Sequence, residues 1–225
     1  MNWEWITRNR GLFGGLLTEH IYLAMTPVCY GLLVSLVLGV ACARWLRLYP
    51  PVLAATSFLY ALPSIVLIIF LIDYFGLTST SVIIPLTIYS VSVLIRNVVE
   101  GLRAVPEPVR LAATAMGYTN VSRLIRVDLP LAVPTIMAGL RVTTVSNISL
   151  VSIASLIGLG GLGQLFTNGF QLAFPTEIIV GIVLSVLLAV AADTALVLLQ
   201  RLLTPWERRG TPPRRQVPAT TGVAS

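Results

Sequence analysis

Five apolar stretches, separated by short polar segments, constrain this chain more than any other feature. They run roughly from Ile21 to Ala43, Pro51 to Ile72, Ser81 to Ile95, Leu131 to Ile157 and Ile178 to Leu199. A helix needs about 20 apolar residues to cross a bilayer. The third stretch is the shortest, and its helix is expected to continue toward Val99. Too little polar surface remains for a water-soluble domain. Charged residues make up 11% of the 225, against about 25% in soluble domains. The reading is an all-α membrane protein with five transmembrane helices. Met1 to Glu19 lacks the basic region, short apolar core and cleavage site of a signal peptide. The first span is therefore expected to insert as an uncleaved anchor.

The charges orient these spans. All fifteen basic residues are Arg. Arg44 and Arg47 follow the first span. Arg96, Arg103, Arg110, Arg123 and Arg126 follow the third. Arg201, Arg208, Arg209, Arg214 and Arg215 follow the fifth. The connections after spans two and four carry only Asp73 and Glu177. The positive-inside rule makes the arginine-rich side cytoplasmic. The N-terminus is then outside and the C-terminus inside. The net charge of +6 is thus a topology signal, and nucleic-acid binding is not expected. The missing lysine excludes a Walker A loop, which needs that amine on its phosphates, and Schiff-base catalysis. One histidine, His20, speaks against a histidine metal site or a Ser-His relay, so no catalytic residue and no metal site are expected. Cys29 and Cys42 stand thirteen residues apart in one stretch. A helix would separate them by about 20 Å, too far for a disulfide.

The domain reading has three parts: an interfacial segment over residues 1–19, one membrane domain over 20–204, and a disordered cytoplasmic tail over 205–225. The tail is rich in Pro, Thr and Arg and has too little apolar content to order itself.

The connection from Arg96 to Pro130 is too long for a plain loop, and it is patterned. Pro106 suits a helix start. Val109, Ala112, Ala113 and Met116 follow at helical spacing. Gly117 fits a left-handed stop, and Thr119 or Asn120 can cap a second helix. Leu124, Ile125 and Val127 line that helix, which Pro130 is expected to end. Such a hairpin either seeks a partner groove or lies against the membrane or its own bundle.

The run Leu111-Ala112-Ala113-Thr114-Ala115-Met116-Gly117, followed by Ile125, Leu129 and Pro130, resembles the EAA loop of binding-protein-dependent ABC importer permeases. That family has Glu where this chain has Leu111. An acidic contact to the ATPase is then either missing or supplied elsewhere, for instance by Glu107. Arg96-Asn97, Gly139-Leu140-Arg141, the glycine run from Ile157 to Gly163, and Leu203-Thr204-Pro205-Trp206 are similar to permeases for glycine betaine, carnitine and choline. The glycine run is also similar to that of methionine importers. The resemblance spans roughly Glu19 to Arg208.

It implies a type I ABC importer fold, methionine-permease-like, in the bacterial inner membrane. It implies a coupling loop at about 100–130, with Glu107, Arg110, Leu111, Ala112, Ala113, Met116, Gly117, Tyr118, Leu129 and Pro130 at the ATPase. It implies ATPase subunits carrying ATP and Mg, a second permease subunit, identical or homologous, and an extracytoplasmic substrate-binding protein. This chain itself would catalyse nothing and hold no cofactor. ATP-driven closure would shift the pathway between two packings. An importer for methionine or another amino acid is the nearest alternative. A stand-alone channel or secondary transporter is another class, but it has no use for a docking hairpin. An intramembrane enzyme would need a catalytic cluster within the spans, and none is visible.

Ionisable groups at membrane depth are functional candidates. Arg141 can face the pathway, snorkel, or pair with another helix; Asp193 can be its partner or a cation site. Thr143, Ser146 and Asn147 belong to a series of small polar groups in span four. These either pack helices closely or line a weakly polar path, with Asn147 as the leading lining candidate. Pro63 and Pro85 are expected to kink spans two and three. Gly158-Leu159-Gly160-Gly161-Leu162-Gly163 satisfies G-x-G-x-x-G, but no βαβ unit surrounds it. Tight turns at an external gate explain these glycines better.

Overall fold

A computed structural model describes residues 2–206. The expected tail lies outside them from residue 207 onward. Ten α-helices follow in order: α1 Trp3–Arg8, α2 Arg10–Arg44, α3 Tyr49–Ala61, α4 Ser64–Phe75, α5 Ser79–Arg103, α6 Glu107–Ala115, α7 Asn120–Arg123, α8 Leu129–Ala154, α9 Gln164–Gln171 and α10 Pro175–Leu203. The described residues contain no strand. In hydrocarbon every backbone N–H and C=O must be paired internally, which leaves helices as the open form for such stretches.

Among the described residues, four continuous helical stretches are long and apolar enough to cross a membrane: Arg10–Arg44, Ser79–Arg103, Asn120–Ile157 and Pro175–Leu203. The first is 35 residues long, about 50 Å at 1.5 Å per residue. It runs without interruption through the boundary expected near residue 19.

The second span, expected to kink at Pro63, is two half-helices, α3 and α4, bent by 88° at their junction. Proline explains the break. Pro63 has no N–H to donate and forces the residue before it out of helical geometry. Leu62 accordingly sits at φ −70°, ψ 138°. Its carbonyl accepts a hydrogen bond from the Tyr89 hydroxyl at 2.5 Å, so the break leaves no orphan acceptor there. Pro85, also an expected kink, lies within α5, which continues as one helix to Arg103.

The most buried of the long helices is α5, with α2 and α8 packed on it. Small residues set the spacing. Gly31, Ser35 and Gly39 recur every four residues on α2 and lie on one stripe. A Cβ at Gly31 would stand 2.4 Å from Ser90 Cβ, and one at Gly39 2.5 Å from Val98 Cγ1. On α8, a Cβ at Gly139 would meet Asn97 Cγ at 2.4 Å. Small residues let backbones approach where no hydrophobic drive separates protein from lipid. Below and above these contacts the core is aliphatic: Leu23, Leu86, Ile148 and Val151 in one cluster, Val98, Leu102, Ala132 and Ile136 in another.

Replacing Gly39 by Leu should force α2 off α5. Overpacking of this kind costs about 1–3 kcal/mol. Thermal unfolding of the detergent-solubilised chain should show a lower Tm for Gly39→Leu. Gly14→Leu is the control, because nothing lies within 4 Å of a Cβ there. Equal Tm values for the two variants would mean the helices stand further apart.

Candidate functional site

The hairpin between α5 and α8 is built from local signals. Pro106 precedes α6 in extended conformation, and Glu107 occupies its first turn. Gly117 has φ +84°. Its N–H donates to Thr114 O at 3.0 Å and that of Tyr118 to Ala113 O at 3.2 Å. This is the paired closure that a left-handed glycine allows. Thr119 caps α7, its hydroxyl accepting from Ser122 N–H at 3.3 Å.

Pro130 does not end the second helix. The chain stays helical from Asn120 to Ile157. A π-helical turn over Leu124–Asp128 leads into α8, with the Leu129 N–H reaching back to Leu124 O. The wider turn accommodates the N–H that Pro130 lacks, so the helical stretch passes through Pro130 without a break.

Only Ala113 of α6 is buried. Leu111 is 62% exposed and Met116 71%; Ala112 and Glu107 are exposed beside them. The helix therefore presents an apolar face that this chain does not cover. Arg110 points the other way. Its guanidinium donates to Leu102 O and stands 3.6 Å from Asp128 Oδ1, while Arg123 stands 3.6 Å from Asp128 Oδ2. Leu129 packs on the Val98–Leu102 cluster, behind the hairpin rather than on its outer face.

The polar residues of α8 fall into separate groups. Asn147 is buried, and its amide donates to Ser90 Oγ at 2.9 Å. Thr143 is buried, its hydroxyl bonded to Gly139 O at 2.8 Å. Asn147 faces α5, and the Thr143 hydroxyl turns back on its own helix. Ser146 is half-buried. Ser149 and Ser152 instead line an open groove of about 310 Å³ between α8 and α10, with Ser185 and Phe166. Arg141 forms a bidentate pair with Asp193, Nε to Oδ1 at 2.7 Å and Nη2 to Oδ2 at 2.8 Å. The pair ties α8 to α10, and both carboxylate oxygens are occupied by it.

At the far end of α8 the glycine run turns the chain. Gly158, Gly160 and Gly161 have φ of +78°, +61° and +74°. Glu19 accepts from Gly161 N–H at 3.1 Å. His20 Nδ1 accepts from Leu162 N–H at 3.1 Å, and its Nε2 lies 2.9 Å from Ile148 O. An N–H on one side and a carbonyl on the other assign the neutral Nε2–H tautomer. A Cβ at Gly161 would meet His20 Nδ1 at 2.7 Å, so both φ and space require glycine there. His20 thus joins α2, α8 and the turn. Composition had marked this histidine only as too solitary for catalysis. Its place beside Glu19 at the edge of an apolar stretch was the available signal.

Residues 31–209 match the family described as the binding-protein-dependent transport system inner membrane component. The chain belongs to this family. It is 34% identical over 187 residues to the glycine betaine/carnitine/choline transport system permease protein OpuCB of Bacillus subtilis strain 168, covering 83% of this chain and 86% of that one. It is 34% identical over 202 residues to the osmoprotectant import permease protein OsmW of Salmonella typhimurium, covering 88% and 94%. The fold is similar to that of a solved structure of the MetNI methionine ABC transporter, one described as inward-facing, with a TM-score of 0.73, 24% identity, and coverage of 84% of this chain and 96% of that one. The chain is therefore a multi-pass inner-membrane permease of the ABC importer type.

Arg141→Gln should strand the Asp193 carboxylate at membrane depth, where an unpaired charge is disfavoured. The yield of folded, monodisperse protein should fall for Arg141→Gln and recover in Arg141→Gln/Asp193→Asn. Size-exclusion chromatography reads this; a double variant no better than the single one would make the pair incidental.

Proposed function

We propose that the chain forms the membrane pathway of an ATP-driven importer for quaternary-ammonium osmoprotectants: glycine betaine, choline, carnitine and proline betaine. The observation that carries the reading is the exposed apolar face of α6, held out from the bundle by the Gly117 turn. The similarity to OpuCB and OsmW supports the substrate class. A stand-alone transporter would have no use for such a face. A groove on an ATPase subunit is its natural partner.

In this reading ATP and Mg are bound and hydrolysed by separate ATPase subunits. A second permease subunit completes the pathway, and an extracytoplasmic binding protein delivers the solute. The arginine-rich end of the bundle is cytoplasmic, with the glycine turn and its Glu19–His20 latch at the outer face. ATPase closure moves α6. Because the chain is helical from Asn120 to Ile157, that displacement reaches the turn through one continuous stretch. Ser149, Ser152 and Ser185 in the groove between α8 and α10 suit a weakly polar wall that passes a zwitterion without holding it. Methionine as substrate is the second reading, favoured by the fold likeness to MetNI.

Two measurements test this. Uptake of labelled glycine betaine by cells carrying the full system should be inhibited by choline and carnitine but not by methionine; inhibition by methionine alone would transfer the assignment to amino acids. Ala112→Arg should abolish uptake and ATPase co-purification while the protein still inserts, since Ala112 is exposed on α6. Undiminished co-purification would remove α6 from the docking surface.

A further inference from the structure

A cavity of about 330 Å³ opens between the last turn of α2 and the hairpin. Arg44 of α2, Arg110 of α6, and Asn120, Arg123 and Asp128 of the second hairpin arm supply its polar wall. Leu102 and Val40 form part of an apolar floor. Three guanidiniums thus face one carboxylate, leaving an excess of two positive charges.

The hydrogen bonding inside this wall is incomplete. Arg110 Nε and Arg123 Nε are buried and have no hydrogen-bond partner, and Asp128 Oδ1 has none either. Both Nε atoms stand 3.6 Å from the Asp128 carboxylate, which is beyond hydrogen-bond length. Asp128 is shared between two cations and hydrogen-bonds neither Nε; Arg110 donates instead to Leu102 O and Arg123 Nη1 to Thr114 Oγ1 at 3.2 Å. Buried donors left unmade are unfavourable, more so when charged. Arg44 is exposed and lies over the Trp45 ring at 6.0 Å. It has no carboxylate partner among the described residues.

We infer that this cavity binds a phosphate-type anion, held by Arg44, Arg110 and Arg123. A tetrahedral oxyanion offers several acceptor oxygens in divergent directions, and guanidinium forks match them with charge-assisted hydrogen bonds. A cation is repelled by the wall, and a neutral solute leaves the charge excess standing. The anion comes from one of two sources, free phosphate or the headgroup of an anionic phospholipid. Trp45 and Leu46, each 58% exposed beside Arg44, are the amphipathic and apolar side chains expected where headgroups stand. Basic pockets between membrane helices are suited to such headgroups. Occupied, the site staples α6 and the second hairpin arm to the end of α2. The inference rests on charge and geometry alone, so it stands or falls separately from the transported substrate.

The test uses the full-length chain in an uncharged detergent and phosphate-free buffer. Phosphatidylglycerol, phosphatidylcholine and inorganic phosphate are each titrated, with binding read by native mass spectrometry and by thermal shift. Phosphatidylglycerol should be retained one-to-one in preference to phosphatidylcholine, or inorganic phosphate should raise Tm. Phosphate displacing the lipid assigns the headgroup to this cavity; phosphate acting where the lipid does not assigns the free anion. Arg44→Gln should weaken binding about tenfold, the scale of one charge-assisted hydrogen bond, and Arg44→Lys should keep most of it. Asp128→Asn should tighten binding by removing the competing charge, a change that a scaffold cluster would not produce. Arg44→Gln leaves the buried network intact, and an unchanged circular dichroism spectrum checks its folding. Binding of neither probe, or equal binding by wild type and Arg44→Gln, overturns the inference and leaves an acidic side chain of a partner protein as the occupant.

Discussion

The approach of α2 and α8 to the backbone of α5 is the contact on which the remaining structure depends. In lipid, tails are as apolar as leucine side chains, so burial alone does not hold helices together. Contact distance decides instead. Gly31, Gly39 and Gly139 bring helices to a separation that any side chain at those positions would forbid. Once the helices are this close, short polar links become possible. Asn147 reaches Ser90, and Ser92 donates to Thr56 O at 2.8 Å. Tyr89 reaches the broken end of α3. Such links join polar groups inside the bundle, where hydrocarbon offers no partners.

The two ends of this bundle are built on the same logic with different parts. At the arginine-rich end, a left-handed glycine reverses the chain so that α6 stands out from the bundle, while a π turn carries the second arm into α8. At the other end, three left-handed glycines fold the chain back over α2. There His20 reads one N–H and one carbonyl, from two different segments. The helical stretch from Asn120 to Ile157 joins the two ends.

Local chemistry was the legible part. Pro106, Gly117 and Thr119 announce a helix start, a stop and a cap because each acts within its own few residues of backbone. Pro130 misled for an instructive reason. Its ring does remove an N–H, but a π turn just upstream absorbs the loss, and nothing in the local sequence signals that choice. Pro63, expected to kink its span, breaks it by 88°, which is tolerated because Tyr89, 27 positions from Leu62, donates to the Leu62 carbonyl. The inward face of Asn147 and Thr143 was likewise not readable: with small polar groups all round a helix, only its neighbours decide which ones are buried.

Sequence alone settled that the chain must be helical and membrane-spanning, that its arginines gather after alternate spans, and that a helix–glycine–helix hairpin interrupts it. These follow from solvent and from backbone stereochemistry, which act residue by residue. Tertiary structure alone settled which glycines serve as contacts and which as turns. It also decided that Asp193 is occupied by Arg141, and that Asp128 lies between two arginines it does not fully satisfy. Those outcomes depend on which surfaces meet, and residues 52 positions apart carry no local mark of each other.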